Sequence, residues 1–98
     1  MVRIIENVSS GAFRRRPAPS RTVGIQTVVA RPSDGQAVAL SPTTAIVWWA
    51  LAGWQSEVDM YRQLRQRYPT IPSDELRLGL VKTLGMLLEM GLVERIDR

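Results

Sequence analysis

LSPTTAIVWWALAG, residues 40–53, decides how the rest of the chain is read. Ser41 followed by Pro42 marks a helix start. A serine hydroxyl can accept from a free amide of the first turn, and proline at the first helical position gives up an N–H that would have no partner there. Gly53 is a natural residue to close that helix. Between these signals stand two adjacent tryptophans, Trp48 and Trp49. Helical neighbours point about 100° apart, so one small core can hardly take both rings. One of them must touch something else.

Upstream of this helix, QAVAL (residues 36–40) reads as a strand. The turn formers Pro32, Asp34 and Gly35 separate it from VGIQTVVA (residues 23–30), whose β-branched residues predict an earlier strand. Together they form a hairpin leading into the helix. Residues 1–22 form a basic N-terminal arm broken by Pro17 and Pro19, with Ala12 to Arg16 as a short edge strand or residues 1–10 disordered.

Downstream, Ser56 with Asp59 resembles a capping box, and the second helix runs to about Tyr68 with Met60, Leu64 and Tyr68 as its buried stripe. Arg62, Arg65 and Arg67 lie mostly off that stripe. YPTIPSDEL is a loop in which Ser73 is expected to cap a third helix, with Asp74 and Glu75 in its positive first turn. Leu76, Leu80, Leu84 and either Leu87 or Leu88 form its apolar stripe. Gly91 ends it, and LVERI adds a short closing strand or tail. The predicted fold is a small winged-helix-like α+β domain over residues 23–98, with a two- or three-stranded antiparallel sheet followed by three helices.

Composition removes several classes of function. The 98 residues suffice for one small domain, and 45% of them are hydrophobic. Cysteine and histidine are both absent, which removes disulfides, thiolate nucleophiles, zinc–cysteine sites, the commonest metal ligand and the commonest neutral-pH base. The net charge of +4 is confined to residues 1–22, where five arginines face Glu6 alone; the remaining eight basic and eight acidic residues cancel. A duplex-binding body would need a basic face of its own. The absence of cysteine leaves the compartment open, with a reducing cytoplasm the plainer expectation; no apolar run approaches the roughly 18–20 residues of a membrane span, and no secretory signal is evident.

Three stretches in series resemble the PqqD-like family. LSPTTAIVWWALAG is similar to its Leu-Asn start, small residue, Ile-Trp pair and Asp-Gly close; SEVDMYRQLRQRY to its second helix; and LVKTLGMLLEMGLVER to its third helix with a Gly-Leu ending. The resemblance covers about residues 24–95 without a forced gap. Ser41, Thr44, Ala52 and Gly79 depart from the residues usual at those points and mark a divergent member. The resemblance implies a RiPP recognition element, a non-catalytic domain that binds the leader of a ribosomally made precursor peptide and presents it to a modifying enzyme, often a radical-SAM protein. The leader would join the sheet as an added strand, between the third strand and the third helix. No cofactor is implied. Placed on the family pattern, Val47 and Leu51 are buried and Trp48 is core or core edge. Trp49 then lies about 200° round the helix from Val47 and faces outward.

Strand addition needs an open sheet edge with pockets for alternate side chains. Gln36, Ala37, Val38, Ala39 and Leu40 carry no charge and no proline, so nothing in them blocks pairing. Lys82, Thr83 and Met86, a turn away from the leucine stripe, are the candidate groove-lining residues of the third helix; Met86 offers an adaptable thioether. Trp49 with Arg14, Arg15 and Arg16 is the candidate contact for a partner enzyme or a second copy, and strand exchange in a homodimer is compatible with so small a sheet. The rival reading is a winged-helix DNA-binding regulator. Its recognition helix should be basic, whereas the third helix sets Asp74, Glu75 and Glu89 against Arg77 and Lys82. An enzyme fits least, because a nucleophilic serine would lack an evident base.

Overall fold

The computed structural model describes residues 11–96. The chain runs β1 (Ala12–Arg15), β2 (Ser20–Val23), β3 (Gln26–Ala30), β4 (Ala37–Leu40), α1 (Pro42–Ala50), β5 (Gln55–Ser56), α2 (Glu57–Arg67), α3 (Ser73–Glu89) and β6 (Val93–Ile96). The strands form two antiparallel sheets, one ordered β5-β1-β6 and one ordered β2-β3-β4. The result is an α+β domain with three helices, as the sequence predicts.

The decisive stretch starts as its residues dictate, but its end needs correction: α1 stops at Ala50 with Leu51 as its C-cap, and Gly53 lies beyond the helix without the left-handed φ of a closing glycine. Ser41 is the N-cap of α1 and its hydroxyl accepts from the Thr44 amide, with Pro42 in the first turn. Trp48 is 2% exposed, and its indole N–H donates to the Leu92 carbonyl over 3.1 Å, so its polar atom is satisfied inside the core. The capping box at the start of α2 forms in both directions between Ser56 and Asp59. Met60 and Leu64 of α2 pack with Leu76, Leu80, Leu84 and Leu87 of α3 in the same core as Val47, Trp48 and Leu51. Gly91, at a φ of 72°, takes the left-handed turn that releases the chain from α3 into β6.

Several expectations need correction. The single strand over residues 23–30 is two strands: Gly24, at a φ of 64°, turns the chain between β2 and β3. The strand near Ala12 is no edge. β1 lies between β5 and β6 and pairs with β6 from Ala12↔Ile96 to Arg15↔Val93, with Ala12 and Phe13 buried. Ser73 is not the cap of α3; Pro72 holds that position and no side chain caps the helix, because Ser73 already lies inside it. Gln36 falls just outside β4 and belongs to the preceding turn. The expectation of disorder over residues 1–10 lies outside the described residues.

Candidate functional site

β4 is an edge strand. It pairs with β3 through Thr27↔Leu40, Val28↔Ala39, Val29↔Val38 and Ala30↔Ala37, and among the described residues nothing pairs with its other side. The Arg31 amide donates to the Gln36 carbonyl at 2.9 Å, one step beyond the last of these pairs. That bond sets the phase of the ladder. Antiparallel neighbours alternate between hydrogen-bonded and non-bonded pairs, so Val38 and Leu40 bond inward to β3. Ala37 and Ala39 then turn their N–H and C=O groups to the free edge. The Ala30 amide bonds to Pro19 on the β2 side, which agrees with this phase. Side chains alternate as well: Leu40 is buried and Val38 half-buried, while Ala37 and Ala39 are exposed.

The turn before β4 is held by charge. Arg31 donates to both carboxylate oxygens of Asp34, and Asp34 also accepts from the Gln36 amide. These hydrogen bonds, from Arg31 first, lower the Asp34 pKa to about 2. Gln36 therefore has both backbone groups occupied by the turn, whereas those of Ala37 and Ala39 face the free edge.

A cleft of about 290 Å³ opens between the start of α1 and the flank of α3. Thr43 and Val47 of α1, Leu64, Tyr68 and Ile71, and Leu76, Gly79, Leu80 and Thr83 of α3 line it, with Glu75 at its rim. Thr43 follows the end of β4 by three residues, at most about 11 Å of chain, but no β4 residue lines the cleft, whose walls come from the helices and the loop between α2 and α3 rather than from β4 and α3 together. Gly79 leaves bare backbone in the wall, since a Cβ there would meet nothing within 4 Å. Of the three α3 residues singled out from the sequence, Thr83 lines this cleft. Met86 is 42% exposed, about 60° further round the helix than Thr83, and Lys82 is exposed beyond it. Sequence reasoning missed Thr43, Tyr68, Ile71 and Gly79. The signal for Gly79 was present: a glycine amid a leucine stripe costs a helix about 1 kcal/mol and marks a place to inspect.

The arginine run has a separate location, at the other end of α1. Arg14 forms an ion pair with Glu94 at 2.6 Å and lies over the Trp54 ring at 4.5 Å. The Arg14 hydrogen bonds hold the Glu94 carboxyl below its usual range. Arg15 lies over both Trp48 and Trp49, at 5.0 and 4.8 Å, and those two rings meet edge to face. Trp49 is 44% exposed and its indole N–H reaches the Thr27 hydroxyl at 3.4 Å. Arg16 is exposed. Among the described residues no group of acidic side chains could hold a metal ion, and no helix is long and apolar enough to cross a membrane.

The family model described as "Coenzyme PQQ synthesis protein D (PqqD)" matches residues 26–93, most of the chain and most of the segment over which the resemblance was read. No curated protein and no solved structure gives a significant match.

Proposed function

The chain belongs to the PqqD family, and from that premise we propose that it is a non-catalytic peptide-binding module of the RiPP recognition type. It takes the leader of a ribosomally made precursor peptide as an added strand on β4 and presents it to a modifying enzyme, of which a radical-SAM protein is the expected kind. The observation that supports this most is the outer edge of β4: uncharged, free of proline and unpaired among the described residues, with an apolar cleft beginning at Thr43, three residues further along the chain. Edges are normally guarded by charge, proline or a covering element, and an unguarded one suits a surface that a partner uses. Ala37 and Ala39 offer backbone hydrogen bonds that tolerate varied sequence. The cleft offers a pocket for an apolar leader side chain, with Thr83 in its wall and Met86 as an adaptable neighbour on α3.

The DNA-binding alternative has less support. The third helix, α3, spends Leu76, Leu80, Leu84 and Leu87 on the core, and its exposed large side chains include Leu78, Val81 and Met86. The deciding experiment titrates the short peptide encoded beside this chain's own gene, followed by tryptophan emission, with duplex DNA at low salt in parallel. Saturable peptide binding supports the reading. No peptide response, with tight and salt-sensitive DNA binding, refutes it.

A further inference from the structure

The face around Arg15 and Trp49 has chemistry that the β4 edge does not use. Arg15 lies between elements: its backbone amide bonds to the Leu51 carbonyl and its guanidinium covers the two adjacent tryptophans. Its Nη1 is buried and has no hydrogen-bond acceptor among the described residues. A charged donor in that position is unusual, because buried donors nearly always find an acceptor. No carboxylate of the described residues pairs with Arg15; the ion pairs there are Arg14–Glu94 and Arg31–Asp34. The same side chain lines an open cleft of about 420 Å³ together with Arg14, Pro17 and Ala52. Trp49 and Trp54 flank this region, 44% and 39% exposed.

We propose that this face is a docking surface for an acidic segment of a protein partner, one carboxylate of which pairs with Arg15 above Ala52. Charge complementarity chooses the occupant. Arg15 and Arg16 are cations without an ion-pair partner among the described residues, and the Arg15 guanidinium lies within 5.0 Å of two ring centroids, a fork suited to a carboxylate. Exposed tryptophans beside arginine are the composition of an interface centre. A nucleic-acid duplex is the poorer occupant, because Glu94 already neutralises Arg14 and leaves too short a row of cations to follow a phosphate backbone. The cleft at Ala52 and the one at Thr43 share no lining residue and lie toward different ends of α1, so an occupant of one leaves the other open. This site stands independently of the β4 reading.

The test is an NMR titration of the full chain, reading the indole resonances of Trp49 and Trp54 and the side-chain Nε–H of Arg15. The probe is the short peptide acetyl-EDLDE-amide. Its uncharged counterpart acetyl-QNLNQ-amide, inorganic phosphate and a short DNA duplex are run beside it. Saturable shifts with the acidic peptide alone are expected. Arg15→Gln should weaken that binding about tenfold or more, and Arg15→Lys should recover only part of it. Ala52→Asp should supply the carboxylate from within the chain, weaken the peptide by a similar factor and raise Tm; it also keeps the test decisive should Arg15→Gln unfold the protein. Equal response to the uncharged peptide, tighter response to phosphate or DNA, or an isotherm unchanged in Ala52→Asp would each overturn the proposal.

Discussion

Replacing Ala39 with proline separates the proposed peptide site from the fold. The ladder phase turns the Ala39 amide away from β3, so proline there removes an N–H that the domain itself does not use. Proline is tolerated on an edge strand for this reason, and it favours an extended conformation in the residue before it, which Val38 already has. A guest strand would lose one hydrogen bond and keep a half-buried carbonyl without a partner. The two effects together cost about 2 kcal/mol, or about 30-fold in affinity. Val38→Pro is the contrasting variant. The Val38 amide bonds inward to β3, so that change should cost about 3 kcal/mol of stability before any peptide is added. The assay is calorimetric titration of the leader peptide into each variant, with thermal unfolding as the control. Hydrogen exchange gives a check on the free protein: the amides of Ala37 and Ala39 should exchange fast and those of Val38 and Leu40 slowly, and peptide should protect the first pair. An Ala39→Pro protein that melts like the parent and binds peptide with an unchanged isotherm would refute strand addition at this edge.

Other expected outcomes follow from single contacts. Gly79→Ala should stabilise α3 by up to about 1 kcal/mol, because a Cβ there meets nothing, and should weaken leader binding by narrowing the cleft; a lower Tm would show that the wall is tighter than the structure has it. Trp48→Phe removes the bond to Leu92 and leaves a small void, for a loss of about 2–3 kcal/mol in denaturant unfolding. Glu94 has a depressed pKa, so the contribution of its pairing with Arg14 is complete above about pH 4.5 and is lost as pH falls through the lower folded value. A Glu94→Gln variant should accordingly show a flatter fall of Tm with acidification. The Asp34 carboxyl should titrate near pH 2 by NMR and move back toward 3.8 in Arg31→Gln.

The helices were legible because each carries local punctuation: Ser41-Pro42, the Ser56–Asp59 box and Gly91 act within a few residues of the ends they define. The core stripe of α3 was legible for the same reason, since its period is written in four leucines. The sheet was read less well. Val23-Gly24-Ile25 lacks the Asn-Gly or Asp-Gly of a typical hairpin turn, so two strands looked like one. The central position of β1 could not be read from Ala12 to Arg15 at all, because both of its partners lie more than forty residues away in the chain. The strand itself starts at Ala37, one residue later than read, because the Asp34 turn engages the backbone of Gln36. The alternation that separates Ala37 and Ala39 from Val38 depends on pairing register, which sequence alone did not supply. Trp49 was expected to face outward and does, but the guanidinium lying across it comes from β1, which the sequence placed at a sheet edge in the basic arm and not at its centre.

The two sheets also differ in when they can exist. Strands β2 to β4 are consecutive, so that sheet is complete in sequence once Leu40 has been made. Its loops are short and closing them costs little chain entropy. The other sheet cannot close until β6 emerges, because Ala12 must meet Ile96 across nearly the whole length of the domain. During synthesis the β2–β4 meander, with its open edge, therefore precedes the helix that walls the cleft and the strand that locks β1 in place. For that interval the edge stands open before the cleft exists, able to pair with any extended chain. The last strand to be made is the one that ties β1, and with it Arg15, into the finished domain.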